Sequence, residues 1–156
     1  MNNPSGFMKQ LILQLAAGLI ALSFTASARA ELKWATDLPS AIAQAKKEKK
    51  IVFVDFTGSD WCGYCIQLKK DVFDTKEFEA YAKDNLVLVE VDFPRKKKQA
   101  PELAKANEGL NEKYKPTGFP TIVVLNGDGK EVWRNSGHTL GGTSGWIPKL
   151  DAAKKK

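Results

Sequence analysis

Cys62 and Cys65 are the only thiols in a chain of 156 residues, and two residues separate them in the stretch SDWCGYCIQLKK. Paired thiols at that spacing can clip a metal, staple the backbone or exchange electrons with another disulfide. Zinc ordinarily takes four ligands. His138 is the single histidine and there is no third cysteine, so a closed zinc site would need a carboxylate or a second subunit. No metal site is therefore expected, although the two thiolates leave a metal carrier open. A static staple is poorly served too, because bridging so short a loop removes little unfolded-state entropy. Exchange has a direct physical account. If Cys62 lies just before or at the start of a helix containing Cys65, its thiolate faces unpaired backbone N–H groups and the positive dipole end. Cys62 is then the exposed nucleophile, and Cys65, one turn inside, attacks the mixed disulfide and releases the substrate.

The surrounding pattern has to supply that helix start. After Pro39, SAIAQAKKEKK places Ala and Ile at helical spacing and ends in lysines that suit a C-terminal dipole end. Ile51, Val52, Phe53, Val54 and Phe56 form a β-rich apolar run broken only by Asp55, which reads as a strand covered on both faces and ended by Gly58. Cys65, Leu68 and Val72 are spaced for a helix over 62–73. A second helix follows over 75–83, with Thr75 as its N-cap. LVLVEVDF, residues 86–93, is the next central strand, closed by Pro94. A helix over 101–114 tolerates Gly109 at about 1 kcal/mol. TIVVLNGDGKEVWR then makes two strands around a turn, and the last helix begins near Thr143. Crossover helices imply parallel early strands and the short late turn implies antiparallel ones. The expected architecture is α/β, a mixed central sheet flanked by helices on both faces.

VDFTGSDWCGYC (Val54–Cys65) and GFPTIVVLNGDGK (Gly118–Lys130), in this order and among these elements, resemble the thioredoxin superfamily, specifically its exported thioredoxin-like members. The resemblance covers most of 32–154. It implies a thioredoxin-like fold and a thiol:disulfide oxidoreductase that uses no cofactor and acts on protein thiols and disulfides. Trp61 is then the aromatic before the nucleophile, and Gly63 and Tyr64 are the variable pair between the thiols. Gly63-Tyr64 resembles periplasmic disulfide isomerases and departs from the Gly-Pro of cytoplasmic thioredoxins. Phe119-Pro120 matches the loop opposite the thiols, where a cis proline leaves the Phe119 backbone to pair with a bound peptide; the plain alternative is a strand-start proline. Trp61, Gly63, Tyr64, Phe119 and Pro120 are the expected substrate-binding residues.

Asp55 sits in an apolar strand, a costly place for a carboxylate. It resembles the buried acid that serves proton transfer at the resolving cysteine, and its expected pKa direction is upward. The segment from Asp55 to Cys62 is one residue longer than the usual thioredoxin spacing, so TGSD can bulge and move the acid, leaving it a structural role. Asp60 reads as a solvated or capping acid, His138 as part of a surface loop, and Trp34, Trp133 and Trp146 as packing residues.

The first thirty residues read differently. Lys9 precedes the apolar run LILQLAAGLIALSF, and ASARA places Ala28 and Ala30 at signal-peptidase spacing. The run covers about 14 residues where a spanning helix needs roughly 20, so cleavage after Ala30 is expected, leaving 31–156 as one domain, periplasmic or secreted, with no stable membrane insertion. The formal net charge is +6, with basic residues gathered at 46–50, 95–98 and 154–156. Without a nucleic-acid module these read as a solvated positive face, not a nucleic-acid site, with a weaker attraction for acidic protein partners left open. A membrane electron donor is a candidate partner. A monomer is expected, because the dimerising N-terminal domain of the isomerases has no counterpart here. Among the directions of exchange, disulfide reductase is favoured over isomerase or oxidase; a redox-silent peptide-binding module is the remaining alternative.

Overall fold

The computed structural model describes residues 32–138 and 141–156; the expected leader, 1–30, lies outside them. Its sheet runs β1-β3-β2-β4-β5, with β1 at Trp34–Ala35, β2 at Ile51–Thr57, β3 at Leu86–Asp92, β4 at Thr121–Leu125 and β5 at Glu131–Ser136. Five α-helices cover it: α1 (Leu38–Glu48), α2 (Gly63–Leu68), α3 (Lys76–Asn85), α4 (Pro101–Tyr114) and α5 (Thr143–Ala153). β3 runs parallel to β2 and β1, whereas β4 is antiparallel to both β2 and β5. This is the expected mixed sheet of a thioredoxin-like fold.

Local chemistry sets the helix ends. The Asp37 carboxylate accepts the Ser40 N–H at 3.0 Å to start α1, and Pro39 occupies the first turn, where its missing donor is not needed. α1 stops at Lys49, which turns left-handed at φ 56°. Thr75 caps α3 as expected, its hydroxyl accepting the Phe78 N–H at 3.2 Å, with Glu77 and Glu79 in the first turn.

Three features depart from the sequence reading. β1 was not anticipated, since two residues carry no periodicity. The helix expected over 62–73 is α-helical only to Leu68 and continues as a π-turn over Lys69–Phe73. That wider turn leaves Val72 and Phe73 both buried. α3 also extends two residues beyond Lys83.

All seven residues of β2 are buried, because helices cover both faces. Alternation then divides the side chains between two cores. Ile51 and Phe53 join Leu86, Leu88, Ile122 and Val124 beneath α2, α3 and α5. Val52, Val54 and Phe56 join Val87, Val89, Val91, Val123 and Leu125 beneath α1 and α4. The first core is organised around Phe53, whose ring centroid lies 6.2 Å from Trp34, 5.6 Å from Phe73, 5.7 Å from Phe78 and 6.0 Å from Trp146. Trp133 meets Trp146 edge-on at 5.6 Å, so the three tryptophans pack as expected.

Phe53→Ala is expected to cost about 3–5 kcal/mol, since a fully buried ring with four aromatic neighbours leaves a cavity they cannot all fill. Urea unfolding would show this as a lower midpoint at unchanged slope. A midpoint equal to that of the parent protein would contradict it.

Candidate active site

β2 delivers the chain to the thiols. Its last residue, Thr57, still pairs with Asp92, so the additional residue between Asp55 and Cys62 is absorbed beyond the strand, and Asp55 stays in the β2–β3 ladder opposite Glu90. The turn that absorbs it is pinned repeatedly. The Gly58 carbonyl accepts the N–H groups of Trp61 at 3.2 Å and Cys62 at 2.9 Å. The N–H and hydroxyl of Ser59 donate to Asp92 at 2.8 and 2.6 Å. Asp60 accepts the backbone N–H groups of Arg95, Lys96 and Lys97 at 2.9, 2.8 and 2.8 Å. Led by the one from Arg95, these bonds pull the Asp60 carboxyl down to about 2. It is the capping acid expected, but it caps a distant loop.

Cys62 is the N-cap of α2. Its sulfur is bonded to that of Cys65 across a Cα separation of 5.2 Å and also accepts the Cys65 N–H at 3.2 Å. Cys62 is 7% and Cys65 5% exposed. The expected exposed Cys62 is therefore not seen in the disulfide form, where the bond holds both sulfurs within the first helical turn.

Trp61 ties the neighbouring segments together. Its indole N–H donates to the Phe93 carbonyl at 2.7 Å, its ring meets Phe119 at 6.1 Å, and the Arg95 guanidinium lies 3.6 Å from the ring centroid. The same indole crosses Gly58 so closely that a Cβ there would meet it at 2.5 Å, which excludes any side chain. Phe93 and Phe119 stack at 5.3 Å, and the Phe119-Pro120 bond is cis. Gly63 opens onto free space. Tyr64 is 65% exposed and stacks on His138 at 4.9 Å and 20°.

Behind the thiols lies an acidic cavity. Asp55, Glu90, Cys65, Lys69, Thr57 and Ser59 contribute to a space of about 180 Å³, wide enough for water, whose share of the liquid is about 30 Å³. Asp55 is buried, stands in register with Glu90 across the β2–β3 pair, and has one carboxyl oxygen without a hydrogen-bond partner among the described residues. Burial, then the charges of Glu90 and Asp92, push its pKa well above the ordinary 3.8. Burial and Asp92 raise half-buried Glu90 as well, while Lys97 and Lys69 oppose the rise. A carboxyl of this kind beside Cys65 can exchange a proton with the thiol.

The structure thus gathers Asp55, Trp61, Cys62, Gly63, Tyr64, Cys65, Phe119 and Pro120 at one end of the sheet. It adds Glu90, which the sequence reading passed over, together with Arg95 and His138, which that reading placed in a solvated basic run and a surface loop. Glu90 interrupts LVLVEVDF as Asp55 interrupts its own strand, so the same signal was present. Arg95 and His138 arrive through loop placement, which leaves no periodic trace. Among the described residues, no group of three His, Cys, Asp or Glu side chains could hold a metal, and no helix is long and apolar enough to cross a membrane.

A helix-capping dithiol after a central strand, with a cis-proline loop whose Phe119 meets the neighbouring Trp61, defines the class of thioredoxin-superfamily thiol:disulfide oxidoreductases. The sequence profile of the thioredoxin-like domain matches residues 38–140. Disulfide bond reductase DsbH of Chlamydia pneumoniae is 37% identical over 128 residues, 82% of this chain and 76% of that one. A solved structure of DsbH oxidoreductase superposes with a TM-score of 0.75 at 34% identity, covering 92% of this chain and 98% of that one. Thiol:disulfide interchange protein DsbD of Vibrio cholerae serotype O1 is 35% identical over 97 residues, 62% of this chain and 15% of that protein. The chain belongs to the thioredoxin-like domain family and is a thiol:disulfide oxidoreductase.

The raised Asp55 carboxyl makes stability depend on pH with a definite sign. Above about pH 4 the unfolded chain has released this proton while the folded one retains it, so Asp55 lowers stability as pH rises from 3.8 toward its folded pKa. Asp55→Asn removes that penalty. Urea unfolding is expected to find the variant more stable than the parent at about pH 7, with the difference shrinking toward pH 4; a difference constant across this range would contradict the assignment.

Proposed function

We propose that the protein reduces disulfides of client proteins outside the cytoplasm, after removal of residues 1–30 leaves the domain 31–156. The observation that carries this reading is the Cys62 sulfur at the first turn of α2, accepting the Cys65 N–H, with Cys65 itself beside the Asp55 cavity. The reductase direction draws support from the likeness to the Chlamydia pneumoniae disulfide bond reductase, and the exported location from the leader-like run before Ala30.

In the reduced form the Cys62 thiolate attacks one sulfur of the client disulfide. A Cys62–client bond forms, the client S–S bond breaks, and the departing client thiolate takes a proton from solvent. Cys65 passes its proton into the cavity, to water or to Asp55 where that carboxyl has ionised, and its sulfur attacks that of Cys62. The Cys62–Cys65 bond forms as the second client thiolate leaves and is protonated. Two electrons pass from the pair to the client, and a donor dithiol, for which a membrane electron donor is the candidate, restores the reduced form. The N–H bond and the helix start favour the Cys62 thiolate. Trp61, Gly63, Tyr64, Phe119 and Pro120 form the rim on which the client lies.

Cys62→Ser is expected to abolish reduction of a disulfide peptide, and Cys65→Ser to accumulate a mixed disulfide visible by mass. Full turnover by the Cys62 variant would defeat the mechanism.

Direction has its own measurement. Equilibrated with glutathione at about pH 7, the pair should show a potential of about −180 mV or lower, whereas a value near about −120 mV, where strong oxidants lie, would reverse the reductase assignment.

A further inference from the structure

Four consecutive cations, Arg95–Lys98, are all exposed in a loop held against the turn that leads to Cys62. Their placement is built into the active-site turn. Asp60, two residues before Cys62, binds the backbone N–H groups of Arg95, Lys96 and Lys97, and the Arg95 guanidinium covers the Trp61 ring at 3.6 Å. Among the described residues none of the four side chains forms a close ion pair, although Lys97 lies near enough to Asp60 and Glu90 to favour their charged forms. Between this loop and α4 runs an open groove of about 490 Å³, whose walls include Trp61, Phe93, Phe119, Arg95 and Lys97, with Glu108 the acid among them. An aromatic floor with a cationic lip therefore leads away from Cys62.

We propose that this groove selects disulfide clients with acidic residues flanking the reactive cysteine, an apolar side chain resting on Phe93 and Phe119 while carboxylates meet Arg95–Lys98. The inference rests on the client-reducing reading above and names the client's chemistry. Unpaired like charges at the edge of a cleft attract oppositely charged ligands and repel cationic ones, acting chiefly on the encounter rate. Backbone anchoring by Asp60 holds the loop against the site, so its side chains can swing toward a client while their origin stays fixed. A peptide fits this arrangement better than an anionic membrane does. Arg95 and Lys97 line a groove that reaches Phe119, whereas the basic run Lys46–Lys50 lies on and just beyond α1 with Lys46 and Lys50 already paired to acids, and the third, Lys154–Lys156, lies at the end of α5.

The test uses three disulfide-looped peptides that differ only in flanking Glu, Gln or Lys residues, each reduced by the full-length protein in its dithiol form. At about 0.01 M ionic strength, where the screening length is about 30 Å, the second-order rate constants should fall in the order Glu, Gln, Lys. About tenfold or more should separate the first two. At about 1 M, where screening acts within about 3 Å, the separation should shrink to about twofold. The combined variant Lys96→Gln, Lys97→Gln, Lys98→Gln, confirmed as folded by circular dichroism, should show a Glu-to-Gln ratio near one at low salt. Equal rates of the parent protein on the Glu and Gln peptides would overturn the selectivity and leave the oxidoreductase reading standing. So would a ratio that survives in the triple variant. Reduction of none of the peptides would overturn both. Binding to phosphatidylserine vesicles that the triple variant loses, accompanied by equal peptide rates, would give these cations to a membrane surface and overturn the proposal.

Discussion

β2 is hydrogen-bonded along both edges, to β3 from Ile51 to Thr57 and to β4 from Val52 to Phe56. A strand held this way cannot slip by one residue without moving Phe53 out of one core and Val54 out of the other. The position of Cys62 inherits that rigidity. Since Thr57 is fixed, variation in the length of the chain before the thiols has to be accommodated in four residues, Gly58–Trp61, and each of the four has a specific attachment. Gly58 gives its carbonyl to the next turn and lies under an indole, Ser59 holds Asp92, Asp60 holds the 95–97 backbone, and Trp61 reaches the Phe93 carbonyl. The extra residue is thus a set of new connections, with no loosening of the strand.

The same register creates the electrostatic tension of the site. Asp55, Glu90 and Asp92 share one face of two adjacent strands, and burial acts on the first two in the same direction. They are not equivalent. Asp92 is engaged with Ser59 and serves the turn, Glu90 feels Lys69 and Lys97, and Asp55 has an oxygen with no hydrogen-bond partner among the described residues. A hydrophobic residue in place of Asp55 would extend the core that holds Ile51 and Phe53 without a desolvation penalty. On the mechanism proposed, the carboxyl is held at some expense of stability so that a proton can enter or leave near Cys65.

Much of this was legible in the sequence because it is carried by short-range pattern. The apolar run at 51–56, the helix over 101–114 and the paired turn residues at 126–129 each express a periodicity or a backbone preference that survives without tertiary context. Gly109 did not break its helix because a cost of about 1 kcal/mol is small against 14 residues of continuous helix. The π-turn after Leu68 was not legible, since burying both Val72 and Phe73 depends on packing from α3 and α5. β1 exists only through its pairing with β3. The site divides the same way. Cys62, Cys65, Trp61 and Asp55 are named by local sequence, whereas the contacts of Asp60 with 95–97, of Arg95 with Trp61 and of His138 with Tyr64 depend on loops that meet only once the chain has folded.

That last property has a consequence for the order of events in a newly made chain. The thiols lie close in sequence and need no long-range contact to find each other, whereas the rim around them is collected from four separated segments, around residues 61–64, 93–97, 118–120 and 138. Closing such distant contacts is the slow part of folding. During synthesis the dithiol emerges first and the Phe119-Pro120 loop and His138 later, so the thiols can react before the surface around them has formed. A nascent chain in that interval is as much a potential client for exchange as a catalyst of it.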